Sequence, residues 1–304
     1  MSIHQSMLDA CRAVGIEPPR KIEQGRWCAS PVIGKSRGNT SGRVMINDDG
    51  RTGVAWNHAT GQHLRFWVGG SDDVPPPVQR DPESERAREM ERGEVVATCG
   101  RILAACDVAP HPYLASKGFP DERGLVIADP RPLLPRGKIG ENMAYALPAG
   151  DGPFLVIPGR IGNAVTTVQF ITPDGEKKNI RGGQMGGASH RIASGRETWV
   201  CEGIATALSV RAALRLLGRS ATVLCAFAAA NVGKVAERIP GAVIAADHDK
   251  PVETLGWLGA GEFYAVKSGR QWVQPPQIGD FNDMHMANGL RAVALLLREA
   301  GMTR

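Results

Sequence analysis

The five residues Ala242-Val-Ile-Ala-Ala246 carry no polar side chain and run directly into Asp247-His248-Asp249. A stretch that is apolar on both faces belongs in the middle of a parallel sheet, covered by helices on either side. Two similar stretches precede it. Glu197 to Cys201 leads into Glu202-Gly203, and Ala221 to Phe227 leads into the small-residue loop Ala228-Ala-Ala-Asn231. Between these two, Ile204, Leu208, Ala212 and Leu216 stand four apart, on one face of a helix. Arg211 and Arg215 fall on another face, where solvent or a polyanion would suit them. Strands alternating with helices predict an α/β domain, and ligands of such sheets gather outside the carboxyl ends of the strands. Glu202, Asp247 and Asp249 therefore converge at one edge. Carboxylates crowded there raise one another's pKa, a conflict that a divalent cation resolves. Hard oxygen donors in such small number suit Mg²⁺, which keeps its waters and binds through substrate phosphates.

A chain of 304 residues can bury more than one core, and two or three domains are expected. With 36 Lys and Arg against 31 Asp and Glu the chain is mildly basic, which permits a nucleic-acid partner without requiring one. No run reaches the length of a membrane-spanning helix, and Met1-Ser-Ile-His-Gln5 lacks a signal peptide's basic start and apolar core. Those features predict a cytoplasmic protein with no membrane partner. The six cysteines, Cys11, Cys28, Cys99, Cys106, Cys201 and Cys225, form no Cys-x-x-Cys pair. They read as small buried residues of a reduced protein, and the spacing of Cys11, Cys28, His58 and His63 fits no common zinc pattern, so no zinc is expected. Ile33-Gly-Lys-Ser36 is no phosphate loop, because the glycine required five residues before the Gly-Lys pair is Ala29.

A Glu-Gly after one strand and an Asp-x-Asp after a later one resemble the Toprim domain of DnaG-type primases, topoisomerases and certain nucleases. Glu202-Gly-Ile-Ala-Thr-Ala207 is similar to the Glu-Gly-Tyr-Ala-Thr-Ala signature of primases carried by conjugative plasmids and satellite phages, with Ile204 in place of the tyrosine. His111-Pro-Tyr-Leu-Ala-Ser-Lys117-Gly118 resembles the His-Pro-Tyr-Leu…Lys-Gly phrase of the same family. The likeness runs over about residues 94–290 and is strongest over 154–250. It implies a Toprim domain over 196–304, preceded by an α+β polymerase subdomain over 94–195 and a small β-rich N-terminal domain over 1–70. It further implies a DNA primase that joins ribonucleoside triphosphates on a single-stranded DNA template, with a separate replicative helicase as a candidate partner. Asp247, Asp249 and Asp280 would then bind two Mg²⁺ or Mn²⁺ ions, with Glu202 joining them or assisting proton transfer. Asp280 matches a Gly-x-Asp phrase that opens a helix in primases, and Asn282 stands where a second acid is common. Asp283 reads as an N-cap or first-turn acid. A Toprim nuclease and a non-catalytic single-strand-binding protein are the alternatives.

Before the first parallel strand, Val165 to Ile171 turns through Pro173-Asp-Gly175 into Glu176-Lys-Lys-Asn-Ile-Arg-Gly-Gly183. Lys177, Lys178 and Arg181 place three cations in five residues beside glycines, and with Lys117 they are the candidate nucleotide or template ligands. Tyr145 to Leu147 and Phe263 to Val266 are predicted strands, and Met284 to Ala300 a helix. Residues 71–93 form a linker: Pro75-Pro-Pro77 is stiff and extended, and Asp81 to Arg92 is charged on nearly every face. In residues 1–70, a short amphipathic helix over Met7 to Val14 precedes strands at 25–28, 42–46 and 53–56. Aromatic and basic residues interleave there, as suits single-stranded nucleic acid. Trp27, Trp56 and Trp67 are nevertheless expected mostly in the core, because a domain this small needs large apolar groups.

Overall fold

The computed structural model describes residues 2–34, 41–57, 62–69, 82–134, 147, 150–252 and 255–300. It is a mixed α/β structure with three sheets, one of them largely parallel. The chain divides into two compact units, Met1–Met90 with Glu253–Trp257, and Glu91–Val252 with Leu258–Arg304.

In the first unit, helix α1 (Ile3–Ala13) precedes an antiparallel sheet of β1 (Cys28–Ser30), β2 (Gly42–Ile46), β3 (Thr52–Asn57) and β4 (His63–Trp67), in that order. Ser2 caps α1 by accepting the Gln5 N–H. Met7, Ala10, Cys11 and Val14 of the helix pack on Val44, Ile46, Ala55 and Phe66, which all point to one face of the sheet. The Asn57 amide, buried, donates to the Val14 carbonyl at 2.9 Å and ties β3 to the helix end. Close packing dictates small residues on this inner face: a Cβ at Gly53 would stand 2.3 Å from the Phe66 ring, its cross-strand partner. Trp27 and Trp56, expected in the core, are instead exposed on the other face. Cys11 lies in the core and His63 on the exposed side. His58 and the Pro75–Pro77 linker lie outside the described residues.

Helix α2 runs unbroken over Pro82–Ala104, through Gly93, so the charged end of the predicted 71–93 linker is the first half of a helix. Its second half carries Val95, Cys99 and Ile102 at helical spacing into a buried cluster. An antiparallel meander follows: β5 (Asp107–Pro110), β6 (Arg123–Ile127), β7 (Phe154–Ile161), β8 (Ala164–Ile171) and β9 (Lys177–Asn179). Helix α3 (Pro112–Ser116) lies between β5 and β6. Tyr145 falls outside the described residues. Alternation splits β7 and β8 between two cores. Phe154, Val156, Val168 and Phe170 join α2, while Leu155, Ile157 and Ile171 join the next sheet.

That sheet has the order β10 (His190–Ala193), β12 (Ala221–Cys225), β11 (Glu197–Cys201), β13 (Val243–Ala245), β14 (Gln271–Val273). β11, β12, β13 and β14 are parallel, and β10 is antiparallel at one edge. Helix α4 (Ile204–Leu216) joins the core on one face, with Trp199 and Cys201. Helix α5 (Ala229–Glu237) joins the core on the other, with Val200 and Ile244. Chain order therefore reverses at β11, with β12 on one side and β13 on the other. Arg211 is not a solvent cation, since it forms an ion pair with Glu122 and its side chain is only 12% exposed.

Two further predicted elements differ. Phe263 to Val266 lies in helix α6 (Ala260–Lys267), not in a strand. The C-terminal helix begins earlier, at α7 (Phe281–Asn288), and breaks at Gly289, where φ is +79°, before α8 (Leu290–Ala300). No helix among the described residues is long and apolar enough to cross a membrane.

Candidate active site

Glu202 follows β11 and Asp247 and Asp249 follow β13, two adjacent parallel strands. Their carboxyl ends flank the reversal of strand order, where open α/β sheets bind ligands. Asp280 arrives from a separate segment. The backbones of His248 and Gly279 bond reciprocally, at 2.9 and 3.0 Å, and strap the start of α7 beside the Asp-x-Asp. His248 itself binds the Pro275 carbonyl through Nδ1 at 2.9 Å, so it acts as a strut.

These carboxylates lie within one another's field. Burial, then the charges of Glu202, Asp280 and Asp249, push the Asp247 carboxyl up to about 8, against partial relief from Lys177. Burial and Asp249 likewise raise Glu202, opposed by the Ala229 N–H at the start of α5 and by Lys177. Asp249 is held by α6: its Oδ2 accepts the Gly261 N–H at 2.8 Å. Gly261 is required there, since a Cβ would stand 2.2 Å from the Asp247 carbonyl oxygen. Asp280 is the N-cap of α7, its Oδ1 accepting from Asn282 N at 2.7 Å and Asp283 N at 2.8 Å. Asp283 returns the bond to Asp280 N at 3.0 Å, which completes a capping box. Asn282 is no open ligand position. It is buried, and its amide donates to the Lys117 carbonyl and the Ser209 hydroxyl.

The basic residues are divided. Strand pleat sends Lys177 and Lys178 of β9 to opposite faces, Lys177 beside Ile171 and Lys178 beside Phe170. Ile171 belongs to the core shared with the parallel sheet and Phe170 to the core under α2, so Lys177 alone of the two faces the acids. The Lys177 ammonium approaches the Glu202-Gly203 turn, 3.9 Å from where a Gly203 Cβ would stand. Lys177 is exposed along its length; the protein packed around its ammonium opposes the charge, but Tyr113, Cys225 and Asp280 outweigh this and hold its pKa above the ordinary value. Arg181 is exposed beyond β9.

Sequence reasoning did not single out Tyr113. Its ring carries Lys177 Nζ 5.5 Å and Lys117 Nζ 5.9 Å from the centroid, so it gathers two of the four predicted cations. The hydroxyl is buried beside the Lys177 ammonium, which opposes the rise that burial gives the Tyr113 pKa. The phrase His111-Pro-Tyr113 explains the placement. His111 caps α3, its Nδ1 accepting the Tyr113 N–H at 3.2 Å while Nε2 donates to the Pro153 carbonyl at 2.9 Å. Pro112 sits in the first helical turn, where its missing N–H is no loss. The signal was the phrase itself, in which the tyrosine stands between two residues of obvious turn chemistry.

No family model matches the chain. Among solved structures it is similar to the crystal structure of the primase fragment of the bacteriophage T7 primase-helicase protein, at 18% identity and a TM-score of 0.35. That alignment covers 47% of this chain and 62% of the other. So slight a likeness carries no weight for the activity.

Among the described residues, no three His, Cys, Asp or Glu side chains stand close enough to hold a metal between them. A closed protein cage is therefore not built. The donors nevertheless suit a hydrated hard cation. Among the described residues, Asp247 Oδ1 is buried with no hydrogen-bond partner, and the bonds to Asp249 and Asp280 each engage one carboxylate oxygen, leaving the second. Mg²⁺ and Mn²⁺ bind in this open manner, through a few carboxylates with waters and phosphates completing the shell.

Proposed function

We propose that the chain is a Toprim-type DNA primase that makes short RNA primers from ribonucleoside triphosphates on a single-stranded DNA template. The observation that carries the reading is the convergence of Glu202, Asp247, Asp249 and Asp280 at the reversal point of a parallel sheet, with Lys177 directed at them. Four crowded carboxylates and one cation leave a net negative site that repels a triphosphate unless divalent ions intervene. Asp247, Asp249 and Asp280 would each contribute to hydrated Mg²⁺ or Mn²⁺ ions, no three of them on one ion, and such ions when bound would neutralise the phosphates and orient attacking and leaving oxygens. Phosphoryl transfer needs little covalent work from the protein, so these residues act by positioning and charge. Glu202, with its raised pKa, is suited to take the proton of the attacking 3′-hydroxyl. Lys177, steadied on Tyr113, is placed to meet a phosphate of the incoming nucleotide, and Lys117 extends the same cationic edge. Lys178 and Arg181 would act on the template, away from the acids.

Purified protein with labelled ribonucleotides, single-stranded DNA and Mn²⁺ should yield short products. Asp247→Asn should abolish them, by about a thousandfold or more, while the protein stays folded. Degradation of the template instead of synthesis would assign the same acids to a nuclease. Full synthesis by Asp247→Asn, Asp249→Asn and Glu202→Gln would sink the proposal.

A further inference from the structure

The face of the N-terminal sheet turned away from α1 carries large apolar groups where packing would not put them. Trp27 is 46% exposed and Trp56 37%. Their rings meet edge to face with centroids 6.3 Å apart, and His63 lies 5.6 Å from Trp56. Strand register places Ala29, Arg43, Trp56 and His63 in one row and Met45, Val54 and Arg65 in the next. Neither row contains an acid. The acids at the margin are engaged locally: Asp49 accepts the N–H groups of Arg51 and Thr52, and Glu23 pairs with Lys21 at 3.1 Å. Arg43 donates to the Gly42 carbonyl at 2.8 Å, which lays its guanidinium along the sheet.

Exposed rings and cations in two rows of described residues that hold no acid match a strand whose bases stack while its phosphates meet arginines. A proline-rich peptide also docks on paired tryptophans, but it is neutral and makes no use of Arg43 and Arg65. We propose that this face binds single-stranded DNA, with Trp27 and Trp56 as stacking platforms and Arg43 and Arg65 on the backbone. Rings and charge select a single-stranded nucleic acid. The choice of DNA rests on the template-directed activity proposed above.

The test uses the full chain and a labelled oligothymidylate of roughly ten nucleotides, within the site sizes common for such surfaces. Trp27→Ala and Trp56→Ala should each weaken binding about tenfold, and Trp56→Phe, which keeps a ring, should lose much less. Arg43→Ala and Arg65→Ala should each reduce the log–log salt slope by roughly 0.7. Should an alanine variant lose its circular dichroism, Trp56→Phe and Arg65→Ala still decide the matter. Unchanged affinity and salt slope in folded variants would overturn the proposal. So would displacement of a bound proline-rich peptide with no oligothymidylate binding. Tighter binding of oligouridylate than oligothymidylate would overturn the choice of DNA. If synthesis is absent but binding depends on Trp56, the reading of the acids falls and this one stands.

Discussion

The acidic edge of the parallel sheet and the aromatic face of the N-terminal sheet break the same rule in opposite directions. At the first, Glu202, Asp247, Asp249 and Asp280 are half-buried and lie within one another's field. At the second, Trp27 and Trp56 stand in water although α1 offers a core a few ångströms away. Folding alone favours neither, since buried like charges repel and exposed rings forfeit burial. Sites of function are where such departures concentrate. The two differ in construction. The acids come from separate elements and depend on backbone straps such as His248–Gly279, whereas the rings come from the residue before β1 and from β3, brought to one face by the pairing of both strands with β2. One is chemistry assembled by the fold. The other is a surface displayed by it.

The comparison is tested most sharply by two tryptophans of opposite burial. Trp199 is fully buried in β11, with Arg219 5.5 Å above its ring. Trp199→Ala should lower stability by about 4 kcal/mol in urea unfolding followed by far-UV circular dichroism. Trp56→Ala should stay within about 0.5 kcal/mol, as an exposed substitution does. Equal losses would mean that the aromatic face is structural and would erase the contrast.

Glu202, Asp247 and Asp249 were legible because two apolar runs, Glu197 to Cys201 and Ala242 to Ala246, ended in them, and a parallel strand's carboxyl end is a place where position alone assigns a role. The aromatic face was not. A tryptophan in a short strand does not announce which face is inner, and the rule that small domains need large core residues pointed the wrong way. Gly53 and Ala55, alternating with Val54 and Trp56, were the overlooked sign: the inner face was the one with no room. Phe263 to Val266 was misread because a four-residue apolar run fits a strand or a helix, and Gly259 and Gly261 before it acquire meaning only from the Asp-x-Asp backbone against them. The split of Lys177 from Lys178 follows from simple alternation. Sequence proximity had concealed it.

Next in size is a pH effect confined to the second unit. The His190 ring is largely buried, its Nδ1 3.1 Å from the Pro158 carbonyl. Burial lowers its pKa to about 4, Arg160 adding to the effect against the Pro158 bond. Because the folded pKa lies below the unfolded value of about 6.5, the unfolded chain binds more protons between those limits. His190 therefore contributes full stability above the unfolded pKa, and this is lost as pH falls toward 4. The loss should reach roughly 3 kcal/mol. His190→Gln should remove that part of the pH dependence, measured as the difference between the two proteins' urea midpoints at pH 7 and pH 4.5. Parallel pH profiles would mean that the ring is solvated.

Lys177 and Lys178 divide the hairpin in the same way that the two tryptophans divide the molecule. Lys177→Met should reduce primer synthesis about a hundredfold, the scale for removing one preorganised positive group from a reacting phosphate. Lys178→Met should change it less than about threefold, an effect on template affinity alone. Tyr113→Leu should resemble Lys177→Met in direction but be milder, since it loosens the ammonium without removing it. Equal effects of the two lysine variants would return the hairpin to a single basic patch.

The smallest effect decides whether Asp280 belongs to the chemistry or only to the helix. Its Oδ1 caps α7, and Asn is as good an N-cap as Asp, so Asp280→Asn should keep stability within a few tenths of a kcal/mol, roughly. Asp280→Ala should lose about 1 kcal/mol, and Asp283→Ala a similar amount or less, because it removes only the returning half of the capping box. Activity should sort the three differently. Both Asp280 variants lose the second oxygen as an anionic donor and should lose synthesis together, despite their difference in stability. Asp283→Ala should keep synthesis at temperatures where α7 is formed. Thermal melts and primer yield measured on the same preparations separate these outcomes. If Asp280→Asn synthesises normally, Asp280 is a cap and the acidic site is complete with Glu202, Asp247 and Asp249.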